Sequence, residues 1–270
     1  MILRFSQYNM SVIDIKIPRN YGEVTDKQIR YVMALMVADQ EPEVIRTKCF
    51  IRFAGLKPLI TVGDTSYFRR VKFPSVITIS VEDVAYFARQ LSWLNSNYAG
   101  IRPPQKIAGL KAPSNVLNDT IFMQYLEAEN FYQAYLYKKE KKYLHSLIAT
   151  LYQPADRYDN NLTDKLARKI GKRISDADEM LVLLWMIGVK QTFARMWDDL
   201  FERKVKYADD EDNDTPPNMM EIINNQVRML TDGDLTKKTA ILRSNTWDAL
   251  DELNAKVREV KELNKKYANK

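Results

Sequence analysis

A mainly α-helical α+β chain, with a small antiparallel sheet near the N-terminus and a helical C-terminal domain, is what the sequence predicts. Three observations carry this. Apolar alternation of period two is confined to the first part of the chain. Residues 176–204 (DADEMLVLLWMIGVKQTFARMWDDLFERK) pass from an apolar run into the helical spacing of Met186, Val189, Phe193, Trp197, Leu200 and Phe201. Residues 245–267 place apolar side chains at three- and four-residue steps with Glu and Lys on either side.

Taken in order, residues 11–18 (SVIDIKIP) alternate Ile13, Ile15 and Ile17 with Asp14 and Lys16, the pattern of a strand with one buried face. Thr25 and Gln28 form a capping-box pair ahead of a helix whose stripe is Ile29, Val32, Met33 and Met36. Pro42 suits the first turn of a second helix and Gly55 its C-terminal stop. Residues 59–80 hold strand runs around the turn residues Gly63 and Asp64, predicting a small antiparallel sheet that takes in the first strand. Ser80 with Asp83 caps the helix over 81–94.

Residues 1–95 therefore form a mixed α+β domain, and 96–117, with Pro103, Pro104 and Pro113, a connection. A helical domain fills 118–207, beginning at a cap on Asn118 or Asp119. It continues through KKEKKYLHSLIATLYQ and LTDKLARKIGKRI to the central helix. Residues 208–217 (ADDEDNDTPP) cannot bury apolar surface and read as an acidic linker. Residues 218–270 are a C-terminal helical arm.

The central apolar run, residues 180–189, is half of what a membrane span needs, so no membrane partner is expected. A single cysteine, Cys49, and an opening MILRFSQYNM unlike a secretion signal predict a reducing, intracellular setting. Net charge is +6, but 41 basic and 35 acidic residues are interspersed, as on a soluble helical surface. The 15 Tyr, 10 Phe and 4 Trp fit a well-filled core or surfaces buried in an assembly.

No catalytic, metal or cofactor site is predicted. The lone histidine, His145, and lone cysteine cannot supply a zinc set or a nucleophile with its base, and His145 reads as structural or surface. Neither GxxxxGK nor GxGxxG occurs. Acid clusters such as Asp176, Asp178 and Glu179 sit at a helix start, where they complement the dipole. The helix pair over 26–54 superficially matches a helix-turn-helix, but its second helix begins Glu41, Pro42, Glu43 and would repel phosphates.

Two surfaces invite partners. Lys165, Arg168, Lys169, Lys172 and Arg173 share a helical face that could track an anion or a phosphate backbone, with Tyr135, Tyr137 and Tyr143 interleaved near KKEKK; the alternative is a solvated face, and nucleic acid is not the expected partner. In the last helix Leu250, Leu253, Val257, Val260 and Tyr267 form a stripe that Trp247 and Leu263 adjoin. Tethered by an acidic linker, it is expected to dock on another chain, a client or a second copy, with docking on its own domain as the alternative.

The succession DKQIRYVMALMVAD, IRTKCFIRFAGLK, FMQYLEAENFYQAYL, YLHSLIATLYQP and LVLLWMIGVKQTFARMWDDLF resembles proteins encoded in tail gene clusters of phages and prophages of Bacteroidetes-type hosts. The similarity runs over about residues 20–265 and is least over 59–111. It implies a non-enzymatic tail assembly chaperone or morphogenesis factor that shields its client, the tape-measure protein, by binding apolar helical segments in the host cytoplasm until the tube forms. A ring-forming virion connector, with association with the virion, and a DNA-binding regulator are the alternatives.

Overall fold

The computed structural model describes residues 2–6, 12–71, 75–201 and 218–268. The expected acidic linker and the last residues of the expected central helix lie outside them. Contacts divide the chain into two compact units, Met1–Arg102 with Ser175–Gly188, and Pro103–Ile174 with Val189–Lys270. The divide falls between Arg102 and Pro103. The first unit nevertheless recruits the start of the central helix, and the C-terminal arm groups with the second unit.

In the first unit, β1 (Ile2–Ser6) and β2 (Val12–Lys16) form an antiparallel hairpin with Ile2 opposite Lys16. The strand expected over 11–18 is present as β2, but it pairs with β1 and is not part of the later sheet. A partner a few residues away costs less closure entropy than one about forty residues on. Helix α1 (Asp26–Val37) starts from the anticipated box: Thr25 Oγ1 accepts from Gln28 N–H at 3.4 Å and Gln28 Oε1 from Thr25 N–H at 2.9 Å. Its Ile29, Val32 and Met33 are buried. Helix α2 (Pro42–Phe53) stops at Gly55, whose φ of +66° is open to glycine at little cost.

Strands β3 (Leu56–Val62), β4 (Thr65–Arg70) and β5 (Val76–Ser80) form an antiparallel sheet in the order β3-β4-β5. Phe68, Ile77 and Ile79 bury one face. Ser80 Oγ caps α3 (Val81–Arg89) by accepting from Asp83 N–H at 3.0 Å. This helix is shorter than predicted; a 3-10 turn (Ser92–Asn95) follows it. There Tyr21 Oη donates to the Leu94 carbonyl at 2.7 Å while its ring meets Trp93 edge-on, centroids 4.9 Å apart. Phe50 stacks on Phe87 at 5.7 Å. Beside them Cys49 is fully buried, and burial pushes its thiol up to about 12.

The second unit opens with a small hairpin, β6 (Lys106–Ile107) and β7 (Leu110–Lys111). Helices α4 (Phe122–Lys138), α5 (Lys141–Leu151) and α6 (Thr163–Gly171) follow, then α7 (Asp176–Met196), whose first part belongs to the first unit. After residue 217 come α8 (Met219–Thr231), α9 (Lys238–Arg243) and α10 (Thr246–Ala268).

Helix α4 does not start at Asn118 or Asp119. Asp119 accepts from Ser114 N–H at 2.8 Å, and the Asn118 carbonyl is taken by Asn245 Nδ2 at 2.8 Å. The first bond closes the preceding loop and the second is a tertiary contact, and the start moves to Phe122, where Gln124 Oε1 accepts Ile121 N–H at 3.3 Å. The buried Gln124 amide donates onward to the carbonyls of Thr150 (3.1 Å) and Gln153 (2.9 Å), tying the start of α4 to the end of α5. KKEKK is not continuous helix, because Lys139 turns left-handed at φ +57°. His145, half-buried on α5, lies so close to Gly171 that a Cβ there would come within 2.6 Å of Nδ1; it is a packing residue.

Candidate protein-interaction site

The last helix begins in a clasp. Residues 120–122 and 244–246 pair as short extended segments: Phe122 N–H donates to the Ser244 carbonyl at 2.9 Å and Thr246 N–H to the Thr120 carbonyl at 3.0 Å. The hydroxyls of Thr120 and Thr246 lie 2.8 Å apart and are buried. Asn245 Oδ1 accepts Trp247 N–H at 2.8 Å, capping α10, and Trp247 Nε1 donates to the Val116 carbonyl at 2.8 Å.

Beyond the clasp, an aromatic ladder binds three helices. Tyr125 and Phe193 rings lie 5.7 Å apart, Phe193 and Trp197 4.8 Å, and Trp197 and Trp247 5.6 Å, the last two edge-to-face. Trp197 Nε1 donates to the Asp251 carboxylate, and Leu200 N–H to Asn254 Oδ1 at 2.9 Å. These bonds draw the chain out of α7 at Met196, whereas periodicity had predicted helix to residue 204.

The predicted partner-binding stripe therefore divides. Leu250 and Leu253 are fully inaccessible, and Trp247 is held by its hydrogen bond and its ring partner. Leu250 and Leu253 are core residues of their own unit and the half-buried Trp247 is tied to it, which corrects the expectation that the whole stripe docks elsewhere. The physical reason is the clasp: backbone pairing with the start of α4 fixes the first turns of α10 against α4 and α7. Val257 is half-buried. Further on, Lys256 donates to the Met229 carbonyl at 3.0 Å and pairs with Asp232. Arg258 Nε and Lys261 Nζ reach Asp199 at 2.8 and 3.2 Å, and the Arg258 and Lys261 hydrogen bonds hold its carboxyl below the usual range. Beside and past this anchor Val260, Leu263 and Tyr267 occupy one face and stay exposed, at 49, 51 and 72 %.

The basic residues separate differently. Lys165, Arg168 and Lys169 lie on α6, while Lys172 and Arg173 belong to the turn after it, so they do not form one helical face. All five are exposed; Thr163, Ala167 and Ile170 supply the buried side. Arg168 and Lys169 in the last turn complement the helix dipole, the solvated arrangement. Near KKEKK, Lys138 donates to Tyr143 Oη at 2.9 Å.

Two features escaped sequence reading. Glu129 and Lys190 form an ion pair at 2.5 Å with only 13 and 28 % side-chain exposure, Gln133 donates to the same carboxylate oxygen at 2.6 Å, and Lys190 lies over the Tyr132 ring at 5.3 Å. Their separation of 61 positions gave no local sign. Nor did the run PLITV, expected as a strand, give a sign that β3 would be exposed from Lys57 to Val62. Among the described residues no group of three His, Cys, Asp or Glu side chains is placed to share a metal ion. A cavity of about 370 Å³ lies between α8 and α9, with Val227, Arg228, Leu235 and Lys238 in its lining. No helix among the described residues is long and apolar enough to cross a membrane. No protein-family model, curated protein or solved structure matches the chain.

Proposed function

We propose that this chain is a non-enzymatic morphogenesis protein of a phage or prophage, a tail assembly chaperone that holds apolar helical segments of a client in the host cytoplasm. The observation that carries the reading is the exposed triad Val260, Leu263 and Tyr267 at the end of a helix whose other half is locked into the fold. Positions i, i+3 and i+7 on one face match the anchor spacing by which a second amphipathic helix is recognised. Fully burying a Val or Leu side chain is worth about 1.5–3 kcal/mol, and with Val260 and Leu263 half-exposed roughly half of that is left for a partner at each, which suits a reversible hold. The proposed class of function comes from the sequence resemblance; the triad supplies a surface suited to it.

The test uses the full chain and a fluorescent synthetic peptide of one amphipathic helix from a tape-measure protein, followed by anisotropy. Binding is expected, weakened at least about tenfold by the triple change Val260→Ser, Leu263→Ser, Tyr267→Ser, with melting unchanged. A peptide that fails to bind, or binds the triple variant equally well, contradicts the reading. Salt-sensitive binding of duplex DNA, lost on changing Lys165, Arg168 and Lys172 to Glu, supports the regulator in its place.

A further inference from the structure

Strand β3 is an edge of its sheet, and Lys57 to Val62 are exposed. An edge strand presents backbone N–H and C=O groups to a further strand, and soluble proteins usually guard such edges with charge. Here Leu59, Ile60 and Val62 keep 46, 61 and 60 % of their surface in solvent. Pairing with β4 sets Ile60 opposite Tyr67 and Val62 opposite Thr65, with Thr61 opposite Ser66 on the other face, their hydroxyls 3.0 Å apart. Antiparallel pairs alternate between bonded and non-bonded positions. Val62 and Thr65 flank the two-residue turn and form a bonded pair, so Thr61 directs its N–H and C=O to the open side.

We propose that β3 pairs antiparallel with β3 of a second copy of this chain about a two-fold axis at Thr61, joining two three-stranded sheets into one. In this register Ile60 faces Val62 of the second copy and the reverse, which covers four exposed apolar side chains on one sheet face. Charge selects a second copy over an unrelated strand. Lys57 stands near the start of β3 and Asp64 in the turn just past its end, and the two-fold operation sets each Lys57 beside Asp64 of the other copy, twice per interface. Pro58, which has no N–H, and the register shift between Pro58 and Ile60 confine the pairing to the end where Thr61 lies.

Sedimentation of the full chain over a concentration series tests this, because the residues changed are exposed and melting curves verify folding. Wild-type protein is expected to dimerise reversibly, and Ile60→Lys to be monomeric. Lys57→Glu and Asp64→Lys should each weaken the dimer about tenfold, and the double swap should restore it. A wild-type chain that stays monomeric overturns the proposal, whether or not it binds an added extended peptide. So does a dimer indifferent to Ile60→Lys, or a charge swap that fails to rescue.

Discussion

Gly188 occupies the interior of α7, where glycine costs about 1 kcal/mol relative to alanine. It is there because the Tyr98 carbonyl packs against it: a Cβ at residue 188 would lie 2.2 Å from that oxygen and 2.7 Å from its carbon. Backbone cannot swing aside as a side-chain end can. Gly188→Ala is therefore expected to lower stability by about 1–3 kcal/mol despite its better helix propensity, measured by chemical denaturation. An unchanged or raised midpoint would show that the contact relaxes freely. Glu127 offers a second test at this scale. Burial raises its carboxyl above the usual range, against the lowering effect of the Tyr158 hydroxyl and Asn160. A carboxyl raised in the folded state binds its proton more tightly there than in the unfolded chain, so its contribution is greatest at low pH and is lost as pH rises through the folded value. The melting temperature of Glu127→Gln minus that of wild type should accordingly grow more favourable between about pH 4 and pH 7. A difference that is flat or runs the other way counts against this assignment.

At the scale of elements, α10 joins two behaviours in one helix. Leu253→Ala, in the anchored half, is expected to cost about 2–5 kcal/mol, whereas Val260→Ala should change stability by less than about 0.5 kcal/mol. Equal costs for the two would remove the distinction between core and surface halves. Elements were legible in the sequence where the interactions that define them are local. The Thr25 box, the Ser80 cap, the stop at Gly55 and the stripe of α1 all arise within a few residues of one another. Boundaries set by distant partners were not. The start of α4 depends on Ser244 and Asn245, and the end of α7 on Asp251 and Asn254, each more than fifty positions away. For the same reason the period of α10 revealed a face to be covered but not what covers it.

Across the whole molecule, the α+β class and its helical bias followed from composition and period, while the grouping of the start of α7 with the first unit did not. No periodic signal at residues 176–188 distinguishes a helix that stays with the second unit from one whose beginning belongs to the first. The charge of +6 is likewise distributed, and the five expected cations lie apart on a helix and the following turn. What remains as candidate surface is apolar: the end of α10 and the edge of β3. We propose that α10 is core in its first half and a recognition surface in its second. Hydrogen exchange of the full chain with and without the amphipathic tape-measure peptide tests it most directly. Amides around Leu250 and Leu253 should be protected in the free protein and unchanged by the peptide, while those from Val260 to Tyr267 exchange quickly alone and slow when it binds. Fast exchange around Leu253, or peptide protection that falls elsewhere and leaves 260–267 untouched, would contradict the account.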